Sequence, residues 1–249
     1  MIPRIVHYCW LGRGKMPRLA MRCIESWRKY LPDYDLRLWN TNSFDVNSVP
    51  YVKEAYEAGK FAFAADYVRL FAIYQFGGVY MDSDVEVIKP LDKFLQYPAF
   101  SGFESEDSIS AGILGSEQAG AWAKEQLGYY DNRHFRRSDG SLDLTTNVKI
   151  ISTSMAAHGF KLNNTYQIYN NCMHVFPQDF FSPKSHTGML TITENTCCIH
   201  HFAGGWESPK VKAKMFIIRK VLGPALTQRL IRLKRKLLRR RAEAANRVR

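Results

Sequence analysis

Long apolar runs are missing from this chain. No stretch of roughly 18 uncharged apolar residues occurs, and MFIIRKVLGPAL is broken by Arg219 and Lys220. A membrane-spanning helix is therefore not expected. The opening MIPRIVHYCWLG has no basic leader followed by an apolar stretch, so no secretory signal is expected either. Cysteine is scarce: Cys9, Cys23, Cys172, Cys197 and Cys198 make an odd set of five with no CxxC pair. That argues against a disulfide framework or a thiolate zinc site and fits buried free thiols in a reducing compartment. Charged residues are 23% and hydrophobic ones 46% of 249, a balance that excludes wholesale disorder and allows a packed core.

Positive charge is in excess, with 35 Lys and Arg against 23 Asp and Glu. Spread evenly, a net +12 would suggest a nucleic-acid binder. It is not spread evenly. Residues 210–249 hold 15 bases and one acid, Glu243, which leaves 20 bases and 22 acids before them. The body is nearly neutral and the basicity is a tail. Within that tail Leu226, Leu230, Leu233 and Leu237 recur at helical spacing, with Arg229, Arg232, Lys236, Arg239 and Arg240 on the other faces. A basic amphipathic helix over 210–249 suits an anionic membrane surface better than nucleic acid, for which no recognition motif is present.

The order of elements points to an α/β chain. Ile5–Tyr8 reads as a short strand running into a Gly-containing loop, residues 17–30 as a helix, and LRLW at 36–39 as a second strand. This is the opening of a unit that binds nucleotides at its strand ends. Residues 61–76 form an almost wholly apolar, buried helix stopped by Gly77-Gly78. VYMDSDVEVI alternates as a strand closed by Pro90. Strand and loop are expected over 98–115, helices over 117–130 and 144–158, and short strands and turns over 160–206. Nothing marks a linker before Ser208-Pro209, so the expected organisation is one domain over 1–209 and the tail.

Asp82 and Asp84 are one residue apart at the end of the expected strand, which puts both carboxylates on one face. Two hard oxygen ligands suit a divalent ion whose remaining positions go to water and phosphate oxygens; the competing reading is a solvated acidic turn. Upstream, Asp66 and Arg69 share one face of the apolar helix, where charge needs a ligand or a partner. An internal salt bridge is the plainer alternative.

ADYVRLFAIYQFGGVYMDSDVEV resembles the signature of DXD-containing glycosyltransferases of the capsular-polysaccharide and mannosyltransferase type, related to the large clostridial glucosylating toxins. IPRIVHYCWLG and IHHFAGGW are similar to that family's opening and closing motifs, so the resemblance spans roughly residues 2–208. It implies a GT-A fold, a Rossmann-like mixed sheet flanked by helices, with Mn²⁺ or Mg²⁺ as cofactor and a UDP- or GDP-hexose as donor. Trp10 matches the aromatic that stacks on the base, with the backbone near Cys9 reading the base edge. Asp66 and Arg69 match the pair on the sugar hydroxyls. Asp82 and its neighbour Ser83 match the ribose side of the motif, and Asp82 and Asp84 the metal ligands.

The resemblance further implies a metal ligand from the closing motif, His201 or alternatively His200, with His201 preferred. Trp206 would cover the phosphates, which makes Asp66, Arg69 and Trp206 the catalytic set. Gly205 stands where relatives often carry Ser, and Ser208 follows the Trp. Glu104, Ser110 and Asn147 are candidates for sensing the sugar and acceptor. The expected activity is metal-dependent, retaining hexosyl transfer to a glycan or lipid-linked acceptor in surface polysaccharide synthesis. The expected location is cytoplasmic, peripheral on the inner face of the membrane. A silent sugar-nucleotide-binding or scaffold protein, and a polyanion binder acting through the tail, are the alternatives.

Overall fold

The computed structural model describes residues 1–185 and 188–204, and in the tail Gly223, Leu226, Thr227, Arg229, Leu230 and Leu233. The chain forms two compact units, one of Met1–Pro183 with Ile192–Trp206, the other of Lys184–Thr191 with Glu207–Arg249. The sequence places its boundary at residue 209 and gives no sign of the grouping of Lys184–Thr191 with the C-terminal residues.

The first unit opens with β1 (Ile5–Cys9), α1 (Arg18–Tyr30) and β2 (Asp35–Trp39). Helix α1 buries Ala20, Cys23, Ile24 and Trp27, the i, i+3, i+4, i+7 stripe of an amphipathic helix, and ends where Leu31 donates to the Trp27 carbonyl just before Pro32. α2 (Pro50–Glu57) is not anticipated by the sequence; it starts on a proline at its first turn, where the lost N–H costs nothing. α3 (Phe61–Phe76) matches the expected helix. Gly77 follows at φ +63° and Gly78 at φ +110°, conformations that side chains with a Cβ resist. A Cβ on Gly78 would lie 2.7 Å from the Ile5 carbonyl oxygen. The glycine lets β3 (Gly78–Met81) lie close beside β1.

VYMDSDVEVI is not one strand. β3 ends at Met81, a turn over Asp82–Val85 is closed by the Val85 N–H to the Asp82 carbonyl at 2.9 Å, and β4 (Val85–Val87) belongs to a different sheet. β5 (Ala99–Ser105), β6 (Ser108–Ile109) and β7 (Ile113–Ser116) follow, then α4 (Ala121–Gly128), α5 (Asn147–Ala157), β8 (Gln167–Tyr169), β9 (Met173–Phe176), α6 (Gln178–Phe181) and β10 (Cys198–His200).

The main sheet runs β2-β1-β3-β7-β5-β9-β8, with β6 on β5; β4 and β10 form a separate antiparallel pair. β1 is parallel to both β2 and β3, so these strands end at the same edge, while β7 is antiparallel to β3 and β5. Alternate residues feed two cores. Tyr80, Leu114 and Phe103 face α2–α5, and Val79, Met81, Ile113 and Phe100 face α1 and Phe181 of α6. Both faces of the sheet are covered, the arrangement of an α/β protein. Helix α1 also fixes β4: the Trp27 indole donates to the Val85 carbonyl at 2.7 Å, and the Val87 N–H donates to Ser26 Oγ at 2.9 Å.

Candidate active site

The parallel ends of β1 and β3 meet here. Asp82 leaves β3 with its N–H donated to the Gly112 carbonyl at 2.8 Å. Its Oδ1 accepts from the Tyr80 hydroxyl at 2.9 Å and lies 3.4 Å from an Arg69 nitrogen. Arg69 holds Asp66 Oδ1 at 3.0 Å, donates to the Ala111 carbonyl at 2.5 Å, and lays its guanidinium over the Tyr80 ring at 4.8 Å. The salt bridge expected as the plainer alternative is thus present, and it extends to the first acid of the DXD. One arginine joins the helix, the strand end and the loop before β7. Burial opposes its charge, but Asp82, Tyr80 and Asp66 outweigh that and raise its pKa.

Asp66 has a second partner. Its Oδ2 accepts the N–H of Asn147, the first residue of α5, at 3.2 Å, and the Asn147 amide donates to the Asp66 carbonyl at 2.9 Å. A carboxylate at a helix N-terminus is favoured by the peptide dipoles. Burial nevertheless pushes Asp66 up to about 7, against the pull of Arg69 and the Asn147 N–H. Of the three residues put forward from the middle segment, Asn147 is therefore in the site through Asp66. Ser110 accepts from the Gly112 N–H at 3.1 Å and shapes that loop. Glu104 is buried on β5, where its charge helps keep His200 protonated.

The sequence favours His201 as the third ligand, with His200 as the alternative, and the strand register sets His200 beside the two acids. β10 pairs His200 with Val85 and Ile199 with Glu86, so His200 shares the buried face. Its Nε2 is 3.4 Å from Asp84 Oδ1 and 3.8 Å from Asp82 Oδ2. His201 points the other way, to Glu86 Oε2 at 2.8 Å, and contributes its N–H to the Asp84 carbonyl at 3.0 Å. Asp84 Oδ2 is held by the Ala203 N–H at 2.7 Å. Burial disfavours the Asp84 carboxylate, but His200 and the Ala203 N–H outweigh it and hold the group well below the usual carboxylate range. Burial likewise disfavours the His200 imidazolium, yet Asp84 and Asp82 lift it to about 9.

Asp82, Asp84 and His200 offer ligand atoms all within 4.8 Å of one another. The two carboxylates suit Mn²⁺ or Mg²⁺, and the imidazole beside them is the better match to Mn²⁺, a transition metal. The space beside them is guarded by Gly112, where a Cβ would lie 2.6 Å from His200 Cε1 and 3.1 Å from Asp82 Oδ2. The ring of Phe202, at φ +53°, lies 4.2 Å from that of His200.

Trp10 lies just past β1, outside both core clusters, with its indole N–H on the Gly14 carbonyl at 2.8 Å. The Cys9 side chain is buried, and burial pushes its thiol up to about 12 beside Arg69 and Asp82. Ser83 is half-buried in the turn. Trp206, Gly205 and Ser208 lie outside the described residues. Tyr80 escapes the sequence reading, although a residue two before Asp82 on an alternating strand shares its face. Gly112 and the Ala111 carbonyl carry no sequence signal.

Residues 17–101 match the family model described as "glycosyltransferase sugar-binding region containing DXD motif". Inositol phosphoceramide mannosyltransferase 3 of Schizosaccharomyces pombe is 32% identical over 118 residues, 46% of this chain and 33% of the relative. Mannosyl phosphorylinositol ceramide synthase SUR1 of Saccharomyces cerevisiae is 29% identical over 145 residues, 54% of this chain and 37% of the relative. The chain thus spans about a third of the length of these curated relatives. Among solved structures, the PaToxG glycosyltransferase superposes with a TM-score of 0.50 at 13% identity, covering 64% of this chain and 69% of that one, a likeness of fold. Residues 17–101 are thus similar to a DXD-containing glycosyltransferase sugar-binding region, and the fold that carries them is of the GT-A type.

Proposed function

We propose that the chain is a metal-dependent, retaining hexosyltransferase that moves a sugar from UDP- or GDP-hexose to a glycan or lipid-linked acceptor in surface polysaccharide synthesis. The observation that carries this is the convergence of Asp82, Asp84 and His200 beside the buried Arg69–Asp66 pair. A divalent ion held by the three would neutralise charge developing on the leaving diphosphate. Arg69 orients Asp82 and Asp66, and Asp66, with Asn147 behind it, would receive the sugar hydroxyls. Trp10 supplies an apolar face for the base. Transfer proceeds on the front face, the leaving phosphate accepting the proton of the incoming hydroxyl; trapping a covalent glycosyl-enzyme would overturn that route. Relatives named for mannosyl transfer to inositol phosphoceramide support a hexose donor and a lipid acceptor. The basic tail, with 15 bases and one acid over 210–249, would keep the enzyme peripheral on the anionic inner face of the cytoplasmic membrane.

A thermal-shift panel of sugar nucleotides with and without Mn²⁺ tests the reading. One nucleotide is expected to raise the melting temperature only with metal, and to lose that effect in Asp84→Ala. Silence across the whole panel would sink it.

A further inference from the structure

Among the described residues of the second compact unit, the large apolar side chains are exposed. Lys184 and Leu190 form an antiparallel bridge, tightened by the Ser185 N–H to the Met189 carbonyl at 2.7 Å and the Gly188 N–H to the Ser185 carbonyl at 2.8 Å. Gly188 takes φ +93° in this hairpin. Met189 and Leu190 on its returning side are 37% and 47% exposed. In the same unit, the helical residues Leu226, Leu230 and Leu233 are 46%, 47% and 51% exposed, while Thr227 is buried at 3% with its hydroxyl on the Gly223 carbonyl.

That is the reverse of a helix seated on its own protein. Positions i, i+4 and i+7 form one stripe, and a stripe of leucines ordinarily faces the core. Here the threonine is inside and the leucines are outside. The sequence around the stripe is almost purely basic, with 15 Lys and Arg against one acid over 210–249. Apolar side chains set among bases are matched by an anionic lipid surface, which takes the leucines into its acyl boundary and the bases at its headgroups.

We propose that Met189 and Leu190 of the hairpin, together with Leu226, Leu230 and Leu233, are the side chains that enter an anionic bilayer. This rests on the membrane location proposed above and names the inserting residues. It adds a hairpin, far from the tail in sequence, to the contact. The hairpin follows α6 directly and precedes the strand that carries His200, so lipid contact would lie close in sequence to the closing segment of the site.

The test is co-sedimentation of the full chain with phosphatidylcholine vesicles and with mixed phosphatidylcholine–phosphatidylglycerol vesicles. Binding is expected to the mixed vesicles only. The triple variant Leu226→Ser, Leu230→Ser, Leu233→Ser and the double variant Met189→Ser, Leu190→Ser should each weaken it by about tenfold or more, since several half-exposed apolar side chains are removed. A Leu190→Trp variant should shift its emission to the blue on mixing and be quenched by brominated lipid. Unchanged binding in both serine variants, or no spectral shift, overturns the proposal. So does light scattering that shows a dimer which the leucine variants dissociate, because the stripe then covers a second copy. Metal-dependent sugar-nucleotide binding measured on the same samples reports separately on the transferase reading and is expected to be unchanged in these variants.

Discussion

Arg69 is the residue through which the site coheres. It touches Asp66 on its own helix, Asp82 past β3 and the Ala111 carbonyl before β7, with its flat face on Tyr80. Lysine could supply the charge but neither the fork nor the stacking face. Across the turn, His200 and His201 are neighbours with different partners, Asp84 and Glu86. His200→Ala is expected to lower metal-dependent turnover by about 100-fold or more, as loss of a ligand does, and His201→Ala by only a few-fold, because its Glu86 pair is half open to water. Steady-state rates across an Mn²⁺ titration check both; equal losses would count against the assignment. The proton on His200 sets a further expectation. With its pKa raised to about 9, a cation must displace that proton, so Mn²⁺ affinity should strengthen as pH rises toward 9. Calorimetry in buffers of different ionisation heat would reveal the released proton.

At the scale of elements, the DXD is delivered by a change of sheet. β3 belongs to the main sheet and β4 pairs with β10 in a separate one, so the turn between them lies where β10 returns with His200. The close approach of β3 to β1 depends on Gly78. Gly78→Ala would force φ +110° on an alanine and push its methyl to 2.7 Å from the Ile5 carbonyl oxygen. Strain and overpacking together are expected to cost about 2–4 kcal/mol. Urea unfolding would register this as a lower midpoint at unchanged slope. Helix α5 contributes through its N-terminus, where its first N–H caps Asp66. The alternation of VYMDSDVEVI is legible in the sequence, but not the turn that breaks it, because both acids are compatible with a strand end and with a turn. α2 escapes notice for a related reason. Eight residues with a polar approach show too few turns of periodicity to stand out.

For the whole molecule, the acid limit of stability has a definite contributor at the centre of β1. His7 is fully buried; its Nδ1 accepts the Trp39 indole N–H at 3.1 Å, so its Nε2–H donates to the Gly77 carbonyl at 2.8 Å. The bond from Trp39 requires the neutral ring, and burial lowers its pKa to about 4 from 6.5, against the pull of the Gly77 carbonyl. The unfolded chain then takes up the proton first as pH falls. Stability from this group is complete above pH 6.5 and is lost toward pH 4, by on the order of 3 kcal/mol. Asp66, raised to about 7, works in the opposite sense over much of that range. The difference between wild type and His7→Gln therefore isolates the effect. Chemical denaturation at several pH values should show that difference shrinking as the medium is acidified; a constant difference would refute it.

Local spacing and composition were enough for the class of fold, the apolar helix with its Asp66–Arg69 pair, the acids of the DXD and the separation of a neutral body from a basic tail. None of these needs knowledge of what lies across the chain. Which histidine joins the acids was decided in three dimensions, since it follows from the pairing of β10 with β4 over more than a hundred residues of intervening chain. So was the completion of the charge network by Asn147 and the Ala111 carbonyl, and the burial of Thr227 rather than Leu226. Spacing along one element fixes which residues share a face. What that face meets depends on strand register and helix packing, and these are set by residues far away in the sequence.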